Sequence, residues 1–153
     1  MSDASCVMCE MLTVIEKADD YRSADGHVAR KIADLPTAVA LLAHDQFYRG
    51  YALVVARTHA RELFLLPEDE ATAYFRDMLR VARAIAAAFT PEKMNYELLG
   101  NTVAHLHWHL FPRYANDPDP RRPVWEHHHE PVALSDAEAA RTIEAIRRHL
   151  VSR

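Results

Sequence analysis

Hydrophobic spacing changes period several times along this chain, and each change predicts an element. Residues 9–17 read as a short helix. Residues 29–32, 38–43 and 51–56 are short apolar runs. Asp34-Leu35-Pro36 separates the first two and Tyr48-Arg49-Gly50 precedes the third, so they read as strands joined by turns. Pro67 then opens a helical pattern, with Glu68, Asp69 and Glu70 where acids favour the helix dipole. Phe75, Met78, Leu79, Ala82, Ile85, Ala86 and Phe89 follow at helical spacing until Thr90-Pro91 stops them. Residues 94–98 and 105–111 read as strands, the second being the clearest in the chain. Residues 112–131 contain five prolines and read as a surface arm. Ser135-Asp136-Ala137-Glu138 is a capping box that opens a helix over 135–150. The order predicts an α+β domain around one antiparallel, five-stranded sheet, with one long central helix and a C-terminal helix.

Composition narrows the class. At 153 residues the length predicts a single domain over 1–153 with a core of its own. Apolar residues make up 50% and charged residues 26%, which excludes disordered and fibrous chains. Lys+Arg 18 against Asp+Glu 22 leaves a net charge of −4, which lacks the basic footprint of a nucleic-acid binder. The apolar runs 38–43 and 84–89 are too short to span a bilayer. Residues 1–10 carry neither a basic region nor an apolar one, so no secretory signal is expected and the cytoplasm is the expected compartment. Three glycines leave no Gly-rich phosphate loop. The unusual counts are two cysteines at CxxC spacing and ten histidines.

Three of those histidines alternate in His105-Leu106-His107-Trp108-His109-Leu110-Phe111. Strand side chains alternate faces, so Leu106, Trp108 and Leu110 take one face and the three imidazoles the other. A solvated sheet edge is the bland reading, although Lys, Glu or Thr would serve there equally well. Converging imidazoles could hold a catalytic metal. Alternatively, one imidazole could act as a nucleophile while its neighbour protonates a leaving group. A metallohydrolase normally adds an acidic ligand or base, and none lies between Asn101 and Arg113, which favours the nucleophile.

This segment, with Pro112-Arg113 after it, resembles the signature of the histidine triad (HIT) family. Tyr51 to His59 is similar to the family's strand ending in a Lys/Arg-x-His turn. Cys6-Val7-Met8-Cys9 is similar to the CxxC at the start of its bacterial zinc-containing members, and Leu99-Gly100-Asn101 and the arm also resemble a bacterial branch. The resemblance implies a homodimer of half-barrel protomers that acts on the α-phosphate of nucleotides. It implies His107 as nucleophile, His109 beside the leaving atom and His105 supporting the strand. Asn101 and Thr102 fall where the family contacts phosphate, and Asn95 and Asp45 are further candidates for phosphate and ribose. Tyr51 stands where the family commonly has a fourth His, which alters the relay expected behind His107. The substrates implied are dinucleoside polyphosphates, nucleoside phosphoramidates and mixed adenylates. The rivals are a zinc metallohydrolase with the triad as ligands, and a nucleotide-binding protein without activity.

CxxC spacing by itself leaves a surface pair, two buried thiols, a redox pair or half a zinc site open, and no further ligand is evident from spacing. The resemblance supplies two, implying a structural Zn2+ on Cys6, Cys9, His59 and His105. His127-His128-His129 read as a solvated arm, because consecutive residues on extended chain do not share a face. His27, His44 and His149 read as surface residues. Trp125 covers either the nucleotide or a partner subunit.

Overall fold

A computed structural model describes residues 6–150. Its elements are α1 (Val7–Ile15), β1 (Asp20–Arg22), β2 (Val28–Asp34), β3 (Ala38–Leu42), β4 (Ala52–Ala56), α2 (Glu68–Phe89), β5 (Lys93–Leu98), β6 (His107–Arg113) and α3 (Asp136–Arg147), with short 3-10 turns at Leu63–Leu65 and Val124–Glu126. The strands form one antiparallel sheet in the order β1-β2-β3-β4-β6-β5. The sheet has six strands where five were expected. Asp20-Tyr21-Arg22 carries no apolar run, and it is a strand because Asp20, Tyr21 and Arg22 pair with Arg30, Ala29 and Val28. The turn between them uses Gly26 at φ 87°, in the left-handed region where glycine is unstrained.

One sheet face carries the main core. Ala40, Leu42, Ala52, Val54 and Leu110 meet α2 and α3 there. The α2 stripe runs through Tyr74, Met78, Val81, Ala82 and Ile85, one position away from the expected register. Phe75 is 45% exposed, because in this Ala-rich helix it is Tyr74 that reaches the sheet, donating its hydroxyl to the Val54 carbonyl at 2.8 Å. α3 begins at the predicted capping box: the Ser135 N–H donates to Glu138 at 2.9 Å, and the Glu138 N–H reaches the Ser135 hydroxyl. The helix stops at Arg147, three residues short of the expected end, where the Arg147 guanidinium donates to the Ile32 and Lys31 carbonyls.

The opposite face is shared. α1 sets Met11, Leu12 and Ile15 on Val39, Leu41 and Val55. The arm covers one end, with Val124 buried against Tyr48 and Phe111, and the stretch between is left open. The arm runs over the surface, as expected, and is tied down at its start. Arg113, 5% exposed, gathers it by donating to Asn95 Oδ1 at 2.7 Å, the Asp119 carbonyl at 2.7 Å and the Arg122 carbonyl at 2.9 Å, and by pairing with Asp117. No helix among the described residues is long and apolar enough to cross a membrane.

Candidate active site and metal cluster

β6 lies between β4 and β5, so its side chains meet both neighbours. His107 stands opposite Val55, and His109 stands between Leu53 and Glu97. The expected alternation holds: Leu106 and Leu110 enter the main core while His107 and His109 share the other face, with ring centroids 4.8 Å apart. The strand starts at His107 rather than His105. His105 belongs to the preceding turn, since the Leu106 N–H bonds to the Ala60 carbonyl instead of joining the β6 ladder.

That offset separates the three imidazoles chemically. His105 is 1% exposed; its Nε2 lies 2.8 Å from the Ala56 carbonyl. A carbonyl only accepts, so Nε2 carries the proton and Nδ1 keeps its lone pair. That Nδ1 lies 3.5 Å from both the Cys6 and Cys9 sulfurs and 3.2 Å from His59 Nδ1, which is itself 3.3 Å from Cys9 Sγ. The four donor atoms fall within 4.8 Å of one another. Tetrahedral zinc with bonds of about 2.0–2.3 Å places its ligand atoms roughly 3.3–3.8 Å apart, and the four separations from His105 and His59, 3.2–3.5 Å, are close to that range. Two Cys and two His form a closed set, and the Ala56 carbonyl fixes the tautomer that a metal-binding His105 needs. The set also explains α1's placement, because Cys6 and Cys9 sit at its N-terminal end.

His107, 6% exposed, donates from Nδ1 to the His105 carbonyl at 2.6 Å. Its Nε2 is therefore the lone-pair nitrogen. His109 Nδ1 lies 2.7 Å from the Tyr51 hydroxyl. Burial, with the neighbouring His107 adding to it, pushes His109 down to about 4, so its ring is neutral near pH 7. Burial, together with the charges of Asp45 and Glu97, pushes the Tyr51 phenol up, so it stays a hydroxyl. The three imidazoles thus do not converge on one point as a metallohydrolase triad requires: His105 turns to the cysteines, and the other two take separate partners. Tyr51 also sits on His109, not behind His107 as the resemblance implied.

His107 and His109 line a cleft of about 360 Å³ with Asn101, Thr102 and Trp125. Gly100, at φ 94°, turns the loop that presents Asn101 and Thr102. A larger, mostly apolar cavity of about 680 Å³ adjoins it, sharing Thr102 and Val103 and bounded by Val7, Met11, Leu53 and Asp45. The structure therefore brings Asn101 and Thr102 to the imidazoles and places Asp45 in the second cavity. Asp45 takes the Val132 and Phe47 N–H groups and His129 Nε2 at 2.7 Å; although burial opposes its ionisation, these donors hold the carboxyl below its usual range. Asn95 faces Arg113 and lines neither cavity.

Glu97 and the docking of His129 were not foreseen at the site, and Trp125 was expected only as a cover for the nucleotide or a partner subunit. Glu97 faces His109 across the strand pair and accepts the Trp125 indole N–H. Trp125 meets His109 edge-on at 5.4 Å within the same chain. His129 is docked rather than solvated, stacked on Phe47 at 3.9 Å. Only the pairing of β5 with β6 and the folding-back of the arm produce these contacts, and neither leaves a local sequence signal.

The sequence profile described as HIT domain matches residues 27–116, more than half of the chain. The chain belongs to the histidine triad family. This HIT protein is 30% identical over 129 residues to Protein hit of Bacillus subtilis, covering 81% of each chain. Over 90 residues it is 31% identical to the adenosine 5'-monophosphoramidase hnt1 of Schizosaccharomyces pombe, covering 54% of this chain and 63% of that relative. A crystal structure of a histidine triad protein from Bradyrhizobium japonicum superposes with a TM-score of 0.74 at 32% identity, covering 80% of this chain and 91% of the other. A Zn-bound histidine triad family protein from Mycobacterium smegmatis shares the fold, with a TM-score of 0.65 at 22% identity over 95% and 93% of the two chains.

Proposed function

We propose that this HIT protein is a nucleotide hydrolase or nucleotidyl transferase acting at the α-phosphate of adenosine-type substrates: phosphoramidates, dinucleoside polyphosphates or mixed adenylates. The observation that carries the reading is the Nδ1–H of His107 on the His105 carbonyl, which in the neutral ring puts the lone pair on Nε2, at a cleft beside the donors Asn101 and Thr102. The phosphoramidase named among its relatives supports the reaction class. In this reading His107 Nε2 attacks phosphorus, the bond to the leaving group breaks, and that group departs with the electron pair and takes up a proton from water. A second water then displaces His107, restoring the free imidazole and releasing a proton. Asn101 and Thr102 steady the phosphoryl oxygens, and the larger cavity, with Asp45 at its rim, receives the nucleoside.

Cys6, Cys9, His59 and His105 hold a structural Zn2+ in this proposal. The ion would tie α1 to the sheet, contributing folding free energy and leaving no open position for a substrate. The protein is also proposed to be a homodimer. β5 is a sheet edge, and Tyr96 at 43% and Leu99 at 52% exposure leave apolar surface along it for a second copy.

The test is a panel of adenosine 5'-phosphoramidate, a dinucleoside polyphosphate and an adenylate, with His107→Asn alongside. The wild type should release AMP from at least one of them and form an acid-labile adenylyl-protein. The variant should keep nucleotide affinity and lose turnover by roughly three orders of magnitude or more. A variant that turns over normally would overturn the proposal.

A further inference from the structure

The partner of His109 is a tyrosine hydroxyl, and the direction of that hydrogen bond decides what His109 can do. We infer that Tyr51 is a positioning residue: its hydroxyl donates to His109 Nδ1, which fixes His109 as a neutral imidazole presenting Nε2–H to the cleft as a hydrogen-bond donor for the leaving atom. The inference rests on the reading of His107 as nucleophile.

The chemistry of the pair and the packing around it support the direction. A phenol is a better donor than acceptor, and the unprotonated nitrogen of a neutral imidazole is the better acceptor of the pair at 2.7 Å. The phenol cannot swing away. Its ring stacks on Phe111 with centroids 4.0 Å apart, and its backbone is held at both polar groups: its N–H donates to the Tyr48 carbonyl, and its carbonyl accepts from the Ala43 N–H and from Gln46 Nε2. The His109 ring is fixed as well, by His107 on one side and the Trp125 edge on another. Depressed basicity agrees with a ring that never carries charge near pH 7.

The chemical consequence differs from that of an imidazolium. A neutral Nε2–H gives up no proton, since that would leave an imidazolate. It lends a hydrogen bond to charge developing on the departing oxygen or nitrogen, as preorganised neutral donors do elsewhere. Donation by Tyr51 into Nδ1 polarises the ring and strengthens that Nε2–H. The benefit grows with the charge on the leaving atom, so Tyr51 biases the site toward substrates with poor leaving groups, such as alkylamines, over activated aryl oxides.

The test uses the intact, metal-loaded protein with 15N-labelled histidine. Long-range proton–nitrogen spectra of the wild type should show His109 protonated at Nε2 with an unprotonated, hydrogen-bonded Nδ1. In Tyr51→Phe that nitrogen should shift toward a position free of hydrogen bonding, with the His107 nitrogens unmoved. A wild-type His109 protonated at Nδ1 would overturn the inference. For kinetics, Tyr51→Phe should lose roughly tenfold to a hundredfold on an alkylamine phosphoramidate of AMP and little on its aryl ester. In a His109→Ala background, which offers the Tyr51 hydroxyl no acceptor, the same substitution should cost nothing further. Equal losses on both substrates, or an undiminished loss in the His109→Ala background, would make Tyr51 merely structural. Absence of turnover by the wild type would overturn the hydrolase reading instead, and the spectra would then decide the tautomer by themselves.

Discussion

Acidification from about pH 7 to about pH 4 places a specific load on His109. Burial, then the nearby His107, holds this imidazole at about 4, whereas a histidine in the unfolded chain titrates near 6.5. Between those values the unfolded chain binds a proton that the folded chain refuses. Stability therefore rises with pH across the window: it is fully present above about 6.5 and lost as the pH falls toward 4. At about 1.4 kcal/mol for each pH unit between the two values, the loss comes to about 3 kcal/mol. Other groups move in the same range, so the measurement is a difference. Urea unfolding of the wild type and of His109→Gln, at matched ionic strength across the window, compares a titrating side chain with one that does not titrate but still accepts from the Tyr51 hydroxyl. Asp34, Asp45, Asp117 and the Cys/His cluster are common to both proteins and cancel. The stability gap should shift by about 3 kcal/mol in favour of His109→Gln on going to acid, at constant denaturant slope. Two parallel curves would show that His109 is protonated freely in the folded state, and the account of its neutral ring would fail.

Removing the cluster's thiols with Cys6→Ser/Cys9→Ser should abolish about one bound zinc per chain by elemental analysis and lower the melting temperature, because α1 loses its tie to His59 and His105. An unchanged zinc content would refute the four-ligand assignment. Sedimentation at micromolar concentration should report twice the chain mass, and a Tyr96→Glu/Leu99→Glu variant should sediment as a monomer; a monomeric wild type would refute the edge-to-edge contact.

Much of this was legible from local pattern. The capping box at Ser135, the Pro67 start and Thr90-Pro91 stop of α2, and the alternation across β6 all follow from residues within a few positions of one another. The strand β1 was not legible, because its stability resides in pairing with β2 rather than in its own composition. The register of α2 was misjudged by one position, since alanines satisfy several stripes at once and only the Tyr74 hydroxyl on Val54 selects one. No carboxylate lies near the histidines in positions 101–113, and Glu97 reaches His109 only as a cross-strand neighbour, a proximity set by sheet order. The arm lies on the surface as expected, but its point of attachment was not legible, for a related reason. Arg113 is a charged residue in a Pro-rich stretch until its partners, Asn95 and the Asp119 and Arg122 carbonyls, are seen to bury it.

The single residue His105 joins the two halves of the site, and it does so through different atoms. Its ring Nδ1 faces the cysteines, its Nε2–H is spent on the Ala56 carbonyl, and its own carbonyl orients His107. The backbone role needs only that the turn before β6 stay in place, and the ring role is what keeps it there. A substitution at His105 therefore cannot separate metal affinity from nucleophile orientation, even though its side chain lines neither cavity. Substitution at Cys6 alters the cluster without touching the carbonyl that orients His107, because that thiol meets the His105 ring at Nδ1, 3.5 Å away. A triad read as three equivalent imidazoles on one strand thus resolves into three groups with different Nδ1 partners, the cysteines for His105, the His105 carbonyl for His107 and the Tyr51 hydroxyl for His109, and the proposed roles of anchor, nucleophile and donor rest on that difference.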